Sequence, residues 1–326
     1  MLQQTQVKTV IPYWERWMRA LPTIASLASA KPERVLKLWE GLGYYRRARH
    51  LHAAAKVLVE RHDGQMPVDF TAVLALPGVG RYTAGAICSI AFNQAVPILD
   101  GNAIRVLARV FGVRESTRER QTLEKLWALA EALVRRANGR PKTGLRQCAE
   151  FNQALMELGA LMCLPRQPKC VSCPLRGVCL ARREESVDAL PNQERRPALT
   201  HRHFVAFVIE RKGCYLVRQR PADAVNAELW EFPNTEVTGE SRDKLLLARE
   251  LLNCVGTAWT PLCEIKHSIT RYRVTCEAVR LEEAATTALQ GVWRTPRQLR
   301  RLTLTSAHRK ILARLKARPK TAGSKG

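Results

Sequence analysis

The residues of this sequence best suited to chemistry are four cysteines in one short stretch, Cys163, Cys170, Cys173 and Cys179. Their spacing, C-x6-C-x2-C-x5-C, contains only one of the two close pairs that usually hold zinc. Wider loops suit the four corners of an iron–sulfur cube. A disulfide framework is disfavoured because the chain is long and opens with polar residues rather than an apolar signal segment. The spacing therefore predicts a [4Fe–4S] cluster, with zinc or no metal as the alternatives.

A glycine-rich turn, Leu76-Pro-Gly-Val-Gly80, lies between two stretches of helical pattern. Gly78 and Gly80 permit positive φ angles and keep side chains away from the turn. The helix that follows directs free backbone N–H groups toward the turn, where they bind phosphate well. We therefore predict a helical hairpin that contacts a phosphate backbone; an ordinary interhelical turn is the alternative.

Two polar residues near this turn are candidates for a catalytic pocket. Asp100 follows an apolar run and precedes a helical stretch, which is the position of a residue that caps a helix N-terminus. A carboxylate there could also stabilise a cationic sugar, and the two roles are compatible. Tyr82 comes directly after the turn, which favours a place in the same pocket over that of an ordinary half-buried aromatic side chain.

The elements that must position these residues belong to a large, basic chain. Its 326 residues indicate about two domains. The 53 Lys and Arg against 29 Asp and Glu give a net charge of +24, which indicates a polyanionic partner, nucleic acid first and an anionic membrane second. No apolar run approaches the roughly 20 residues that cross a bilayer. We expect no membrane association and a cytoplasmic, nucleoid-associated protein.

Periodicity divides the chain into two parts. Helical spacing of apolar residues runs through residues 1–160, for example at 33–40 and 121–134, and β-branched and aromatic segments begin near residue 203. We predict a mainly α domain over 1–181 with the cysteine loop at 163–179, a linker over 182–200, an α+β domain over 201–318 with a helix near 241–254, and a disordered tail over 319–326.

The turn, Asp100 and the cysteine loop, in that order, resemble the helix-hairpin-helix DNA glycosylases that carry an iron–sulfur cluster. Within that superfamily the chain resembles the MutY-type adenine DNA glycosylases through Met1-Leu-Gln-Gln-Thr5, Gly41-Leu-Gly-Tyr-Tyr45, Leu99-Asp-Gly-Asn102 and residues 151–160. Residues 215–221 and 229–233 resemble, more weakly, that family's Nudix-like C-terminal domain. The alternative is the endonuclease III-like pyrimidine glycosylases, which carry Lys at the position of Tyr82.

The resemblance implies an enzyme that flips adenine out of duplex DNA, where it is mispaired with 8-oxoguanine or guanine, and hydrolyses its N-glycosidic bond. It places Asp100, Tyr82 and Asn102 in catalysis and Gln153 against the flipped adenine. It assigns contacts with the duplex or the lesion to Gln3, Gln4, Thr5, Leu42, Tyr44, Gly78, Gly80 and Thr270. It further implies a helix-hairpin-helix domain, a [4Fe–4S] cluster on the four cysteines, a Nudix-like lesion-recognition domain, double-stranded DNA as partner, and a monomer.

The chain departs from the family pattern in three places. The family's general acid is a Glu two residues before the motif's Met, which here is Met1. We expect that the start of the chain is misassigned. The alternatives are a truncated chain that binds the mispair without cleaving it, and a chain in which another carboxylate takes the place of this Glu.

Residues 239–256 offer Glu240 and Glu250 but not the full carboxylate set of a Nudix hydrolase, which predicts no pyrophosphatase activity. The family's Phe-Ser-His lesion-checking loop aligns with Ile269-Thr270-Arg271, which keeps a hydroxyl and replaces the imidazole with a guanidinium.

Overall fold

The computed structural model describes residues 1–3, 5–139, 146–192, 198–237, 243–252, 258–269, 271–282 and 291–316. The chain forms two compact units: unit 1 joins Met1–His52 to Pro197–Gly326, and unit 2 is Ala53–Arg196. The N-terminal helices therefore group with the C-terminal part of the chain, whereas the sequence pattern suggested one helical domain over residues 1–181.

The N-terminal part of unit 1 is helical. Trp17 and Trp39 meet edge to face with ring centroids 5.7 Å apart, so the first and third helices share an aromatic core. Pro32 begins the third helix, where its missing N–H has no intrahelical partner to lose. The helices are α1 (Val7–Ala20), α2 (Ile24–Ala28), α3 (Pro32–Trp39) and α4 (Arg46–Arg61), the last of which continues into unit 2.

Helix α1 carries apolar residues on two of its sides. Trp17 faces the core of unit 1 and is buried. Val7, Ile11, Trp14 and Met18 follow one another at spacings of four, three and four residues, which places them in one row, and all four side chains are exposed. We call these four residues the α1 row.

The described part of unit 2 is built from helices. Ala103, Val106 and Leu107, from one short helix, pack with Leu126 and Leu155 of its two neighbours in a single apolar core. The helices are α5 (Phe70–Leu74), α6 (Arg81–Phe92), α7 (Gly101–Val110), α8 (Arg120–Asn138), α9 (Gln147–Leu161) and α10 (Leu180–Arg183). The central position of α7 means that whatever sits at its N-terminus is fixed by the core.

Residues 184–192, predicted to lie in a linker, run against α7. Arg109 of α7 donates its Nε–H to the carbonyl oxygens of Val187 and Leu190, at 3.0 and 2.8 Å. Thr117 makes two further hydrogen bonds to the Asn192 carbonyl oxygen, from its backbone N–H and its hydroxyl. This part of the segment is therefore packed structure, because a buried arginine needs the acceptors that it supplies.

The C-terminal part of unit 1 is a mixed sheet with helices on both faces. The elements are β1 (Thr200–Arg211), β2 (Cys214–Gln219), β3 (Trp230–Glu231), β4 (Asn234–Glu236), α11 (Lys244–Leu252), β5 (Ala258–Ile269), β6 (Tyr272–Glu282), β7 (Val292–Arg294), α12 (Pro296–Arg301) and α13 (Ser306–Lys316). The strand order is β3-β2-β1-β6-β5, with β4 paired to β1 and β7 to β2; β1 and β6 run parallel and the other pairs antiparallel.

Alternation along β1 explains why its sequence reads as one apolar run. Val205 and Phe207 pack on the face covered by α11, and Ala206 and Val208 pack on the face covered by α13 through Ile311. A strand buried on both faces needs apolar residues at every position rather than at every second one.

Hydrogen bonds explain why the N-terminal helices belong to unit 1. Lys37 at the end of α3 donates to the Leu302 carbonyl oxygen at 2.8 Å. Glu40 Oε1 accepts the Leu304 N–H at 3.1 Å. Arg49 of α4 donates to the Ala227 carbonyl oxygen at 2.9 Å. Side chains from residues 37–49 thus satisfy backbone groups of the C-terminal part.

The predicted fold class, a mainly α part followed by an α+β part, is confirmed. Glu250 lies on α11, and Glu240 and the predicted tail over 319–326 lie outside the described residues. Within the portion of the chain that the structure covers, no helix is both long and apolar enough to cross a bilayer.

Candidate functional site

Asp100 occupies the N-cap position of α7, as its sequence context predicted. Its Oδ1 accepts the backbone N–H of Ala103 at 2.7 Å, which satisfies one of the free donors of the first helical turn. Its second oxygen, Oδ2, accepts from Asn102 Nδ2 at 3.3 Å. The carboxylate is therefore held in one orientation by two donors from its own helix.

A buried arginine continues this chain of hydrogen bonds. Arg105 is only 8% exposed and donates from Nη2 to Asn102 Oδ1 at 2.8 Å. The same nitrogen donates to the Gly159 carbonyl oxygen of α9 at 2.7 Å, and Nε donates to the Cys163 carbonyl oxygen at 2.7 Å. One side chain thus links the helix that carries Asp100 to the start of the cysteine loop.

The close approach of α7 and α9 depends on a glycine. A Cβ added at Gly159 would lie 2.7 Å from Asn102 Cβ and 3.0 Å from the Asn102 carbonyl oxygen. Atoms of these types do not approach so closely unless the helices move apart. Gly159 therefore permits the contact between α7 and α9 that keeps Asn102 within hydrogen-bond distance of Arg105.

Tyr82 lies in the first turn of α6, close to Asp100. Burial raises the pKa of the Tyr82 phenol, and the charge of Asp100 raises it further. The phenol oxygen lies 3.3 Å from Met156 Sδ of α9. Gln153 is three residues before Met156 on α9, so the two side chains share one side of the helix; Gln153 is exposed and donates to the Ala149 carbonyl oxygen at 3.1 Å.

The glycine-rich turn joins α5 to α6 as the predicted helical hairpin. Gly78 has a φ of +78°, which only glycine adopts readily, and the Val79 N–H donates to the Leu76 carbonyl oxygen at 3.0 Å. Gly80 is the N-cap residue of α6, and no side chain caps the helix there. A Cβ at Gly80 would enter open space, so the fold itself does not require glycine at this position.

The four loop cysteines line one cavity together with apolar side chains such as Leu158 and Leu175. All four are free thiols. Burial raises the pKa of the Cys170 thiol, and the nearby Cys163, Cys179 and Cys173 raise it further, while Arg109 opposes the shift. Arg109 Nη1 lies 3.4 Å from Cys163 Sγ.

The spacing of the sulfurs bears on which group they fit. Among the described residues, no three His, Cys, Asp or Glu side chains come close enough to hold a single metal ion. Zinc requires its thiolates at about 2.3 Å from one centre. Four thiols around one shared cavity supply the ligand set of an iron–sulfur cluster.

Two further predicted segments lie in unit 1, and one arginine contacts both. Arg47, in the first turn of α4, donates to the carbonyl oxygens of Met1 and Gln3 and to Thr5 Oγ1. It also lies against the turn that carries Tyr44, which is 49% exposed and has a φ of +48°. The side chains of Gln3 and Tyr44 are therefore exposed, while Arg47 holds the segments that carry them.

The structure differs from the prediction at Leu42. Its side chain is 7% exposed and belongs to the protein core, because the turn that presents Tyr44 directs Leu42 inward. Gln4 and Thr270 lie outside the described residues. Beside Thr270, Arg271 donates to the Tyr272 phenol at 3.0 Å, at the hairpin between β5 and β6.

Sequence reasoning missed Arg105, Arg109 and Arg47. Arg105 and Arg109 are four residues apart in an otherwise apolar stretch of α7, and charged residues facing a core at that spacing are a usable signal. Arg47 has no such signal, because it stands between Arg46 and Arg49 in a run of basic residues.

The family described as HhH-GPD superfamily base excision DNA repair protein matches residues 1–132, and the NUDIX domain family matches residues 204–314. The adenine DNA glycosylase of Rattus norvegicus is 36% identical over 366 residues, which covers 95% of this chain and 69% of that protein. The Homo sapiens adenine DNA glycosylase is 35% identical over 369 residues, covering 95% of this chain and 66% of that protein.

Among solved structures, a thermostable thymine-DNA glycosylase is 28% identical, with a TM-score of 0.49, and the match covers 56% of this chain and 80% of that one. The chain spans about two thirds of the length of the curated relatives named above. The family resemblance predicted from the motifs is confirmed, and proteins of this family typically carry a [4Fe–4S] cluster. The chain belongs to the adenine DNA glycosylase family, and it combines an HhH-GPD base excision DNA repair domain with a NUDIX domain.

Proposed function

We propose that this chain removes adenine mispaired with 8-oxoguanine, or with guanine, from duplex DNA by hydrolysing the N-glycosidic bond. The observation that carries the proposal is the carboxylate of Asp100, held by Ala103 and Asn102 at a helix N-terminus next to Tyr82. Relatives named adenine DNA glycosylase cover nearly the whole chain. The net charge of +24 suits a DNA substrate.

The chemistry requires a base outside the helical stack. Flipping a mispaired adenine costs a few kcal/mol of stacking and pairing. As the bond between the sugar and N9 breaks, positive charge develops on the sugar, and a fixed carboxylate stabilises it without reorganising. Asp100 suits this role because its two hydrogen bonds hold it before the substrate arrives. A tyrosine phenol is ordinarily protonated at neutral pH, and burial raises the pKa of Tyr82 further, so Tyr82 offers a phenol hydrogen beside the sugar.

The same pocket offers a group to read the base. Gln153 lies on the side of α9 that carries Met156, the contact of Tyr82. A carboxamide both donates and accepts hydrogen bonds, which matches the donor and acceptor atoms along the edge of adenine. The departing adenine also needs a proton at N7, so cleavage by this chain would require a proton donor in addition to Asp100 and Tyr82.

Contacts with the duplex are supported in both units. At the start of α6, which no side chain caps, the backbone N–H groups of the first turn and the open space at Gly80 suit a phosphate group. In unit 1, Gln3, Thr5 and Tyr44 are presented by the Arg47-anchored segments, and an exposed aromatic ring can fill the space that a flipped base leaves. Gln4 and Thr270 complete the proposed set by resemblance.

A [4Fe–4S] cluster fits Cys163, Cys170, Cys173 and Cys179. When bound, the cluster supplies a covalent cross-link of the 163–179 loop through four iron–sulfur bonds. Arg105 donates to the Cys163 carbonyl oxygen, so the backbone at the first of these residues is already tied to the helix of Asp100.

The test is single-turnover cleavage of an A:8-oxoguanine duplex, read as strand breaks after alkali. Asp100→Asn keeps a good N-cap residue and removes the charge. We expect the rate to fall by at least about 10²-fold with little change in the free energy of unfolding. Asp69→Asn is the matched control, since Asp69 caps α5 by the same bond, to Ala72 N–H at 2.8 Å; its rate should stay within about twofold of wild type.

Two outcomes would contradict the proposal and indicate a different function. Tight and selective binding of the A:8-oxoguanine duplex by the wild-type chain, with no strand break after alkali, would make it a recognition protein. A covalent DNA adduct trapped by borohydride would indicate an amine nucleophile, as in endonuclease III-like enzymes, and would remove the role given to Tyr82.

A further inference from the structure

The side chain of Arg47 joins two segments of unit 1 that are more than 35 residues apart in sequence. Its Nη1 donates to the Met1 carbonyl oxygen at 3.0 Å and to the Gln3 carbonyl oxygen. Its Nη2 donates to Thr5 Oγ1 at 3.2 Å, and lies 3.4 and 3.3 Å from the carbonyl oxygens of Leu42 and Gly43. Met1–Thr5 and Leu42–Tyr44 are thus tied to one guanidinium group. We call these two segments the reading surface.

The plane of the guanidinium is held by aromatic rings. Its central carbon lies 5.4 Å from the ring centroid of Trp39, which is buried, and 5.5 Å from that of Tyr44, which is half exposed. Both distances are within the range of a cation–π contact. The buried ring fixes the arginine, and the arginine in turn supports the exposed ring.

Tyr44 needs this support because its backbone is in an unfavourable region. A non-glycine residue at a φ of +48° carries a conformational cost of order 1 kcal/mol. The Arg47 N–H donates to the Tyr44 carbonyl oxygen at 2.9 Å at the start of α4. Arg47 therefore holds Tyr44 through its backbone as well as through its side chain.

We propose that Arg47 is a positioning residue that fixes Met1–Thr5 and Leu42–Tyr44 in one arrangement and thereby sets the selectivity of the protein for the lesion-containing duplex. The inference rests on the proposed function, which takes these segments to contact the mispair. Arg47 acts through Gln3, Thr5 and Tyr44 and needs no contact of its own with DNA.

Lysine cannot replace arginine in this arrangement. The guanidinium is a planar fork whose donors are fixed in direction, and it stacks on rings, whereas an ammonium is a compact point charge with three donors. Arg47→Lys therefore keeps the charge that attracts phosphate and loses the simultaneous bonds to both segments. Arg46→Lys is the matched control: Arg46 is the exposed neighbour, and its Nε–H donates to His50 Nε2 at 3.2 Å, within α4.

The experiment measures the equilibrium Kd for an A:8-oxoguanine duplex and for an undamaged A:T duplex of the same sequence, by fluorescence anisotropy in the Asp100→Asn background. We expect Arg47→Lys to lower the preference for the lesion duplex about tenfold, the effect of losing one or two bonds to a charged group. Its affinity for the A:T duplex, and the dependence of that affinity on salt, should match those of Arg46→Lys, because both variants keep their charge.

A second variant covers the case in which Arg47→Lys does not fold, which a thermal melt would show. Thr5→Val removes one acceptor of the fork, and we expect it to lower the preference about threefold. An unchanged preference in either folded variant overturns the inference. An equal loss on both duplexes also overturns it, since Arg47 would then act as a phosphate contact. If the protein with Arg47 intact shows no preference for the lesion duplex, the proposed function itself fails.

Discussion

The Asp100 pocket of unit 2 and the reading surface of unit 1 are each organised by one arginine, but in different ways. Arg105 is buried and joins acceptors on α7, α9 and the start of the cysteine loop, all of which are already placed by the core of unit 2. Arg47 joins two segments outside regular secondary structure, one of which carries Tyr44 at a positive φ. The comparison suggests that the pocket is fixed by the fold, whereas the reading surface is fixed by a single side chain.

The largest expected effect is on the free energy of unfolding, which should fall more when Arg105 is replaced than when Arg47 is replaced. Arg105→Met leaves the oxygen atoms of Asn102, Gly159 and Cys163 buried without their donor. We expect it to lower the free energy of unfolding by about 3 kcal/mol or more and the cleavage rate by at least about 10²-fold. Arg47→Met, at a more exposed site, should cost about 1 kcal/mol. Urea unfolding followed by circular dichroism checks both; equal losses would contradict the comparison.

A smaller effect is expected from the contact between α7 and α9. Gly159→Ala places a methyl group 2.7 Å from Asn102 Cβ, so the helices must separate. We expect a loss of about 1–3 kcal/mol in unfolding free energy, together with a lower cleavage rate because Asn102 moves with its helix. Gly177→Ala is the control, since a Cβ there meets no atom within 4 Å. A wild-type rate in Gly159→Ala would show that the pocket tolerates displacement.

The smallest expected effect is a pH dependence of stability that arises from a buried histidine of unit 1. His308 of α13 is buried and its Nδ1 accepts the Phe232 N–H at 3.0 Å. Burial lowers the pKa of His308 to about 4; Glu231 opposes the shift, and Arg220, Arg218 and His267 add to it. Between pH 6.5 and 4 the unfolded chain therefore binds a proton that the folded chain does not, so stability falls as the pH falls, by at most about 1.4 kcal/mol per unit.

Tryptophan fluorescence can follow this transition, since six of the seven tryptophans, all except Trp127, lie in unit 1. The free energy of unfolding from urea titrations at pH 7 and pH 5 should differ in the wild type. His308→Gln keeps an acceptor for Phe232 and should reduce the difference, whereas His201→Gln, at an exposed position on β1, should leave it unchanged. Equal differences in both variants would remove His308 as the cause.

What could be predicted from the sequence was local. The N-cap role of Asp100, the hairpin at Gly78 and the grouping of four cysteines each depend on residues within about 20 positions, and each was found where predicted. The inward position of Leu42 depends on the path of a turn with positive φ angles at Gly41, Gly43 and Tyr44, which composition does not reveal.

Long-range pairing was not predictable in the same way. Lys37 and Leu302 meet across 265 residues, so no periodicity in either segment indicates that the N-terminal helices group with the C-terminal sheet. The segment at 184–192 has the polar composition of a linker, yet it packs because Arg109 requires its carbonyl oxygens. A buried arginine thus decided the packing of a segment whose composition alone indicated a linker.

The α1 row has a practical consequence for handling the protein. Four large apolar side chains in line form a strip about 16 Å long at 1.5 Å per residue, which hydrophobic dyes and other molecules of the same chain can cover. Repulsion between chains of charge +24 opposes such self-association at low ionic strength, and salt screens it within about 8 Å at 0.15 M. Added salt therefore weakens DNA binding and favours self-association at the same time.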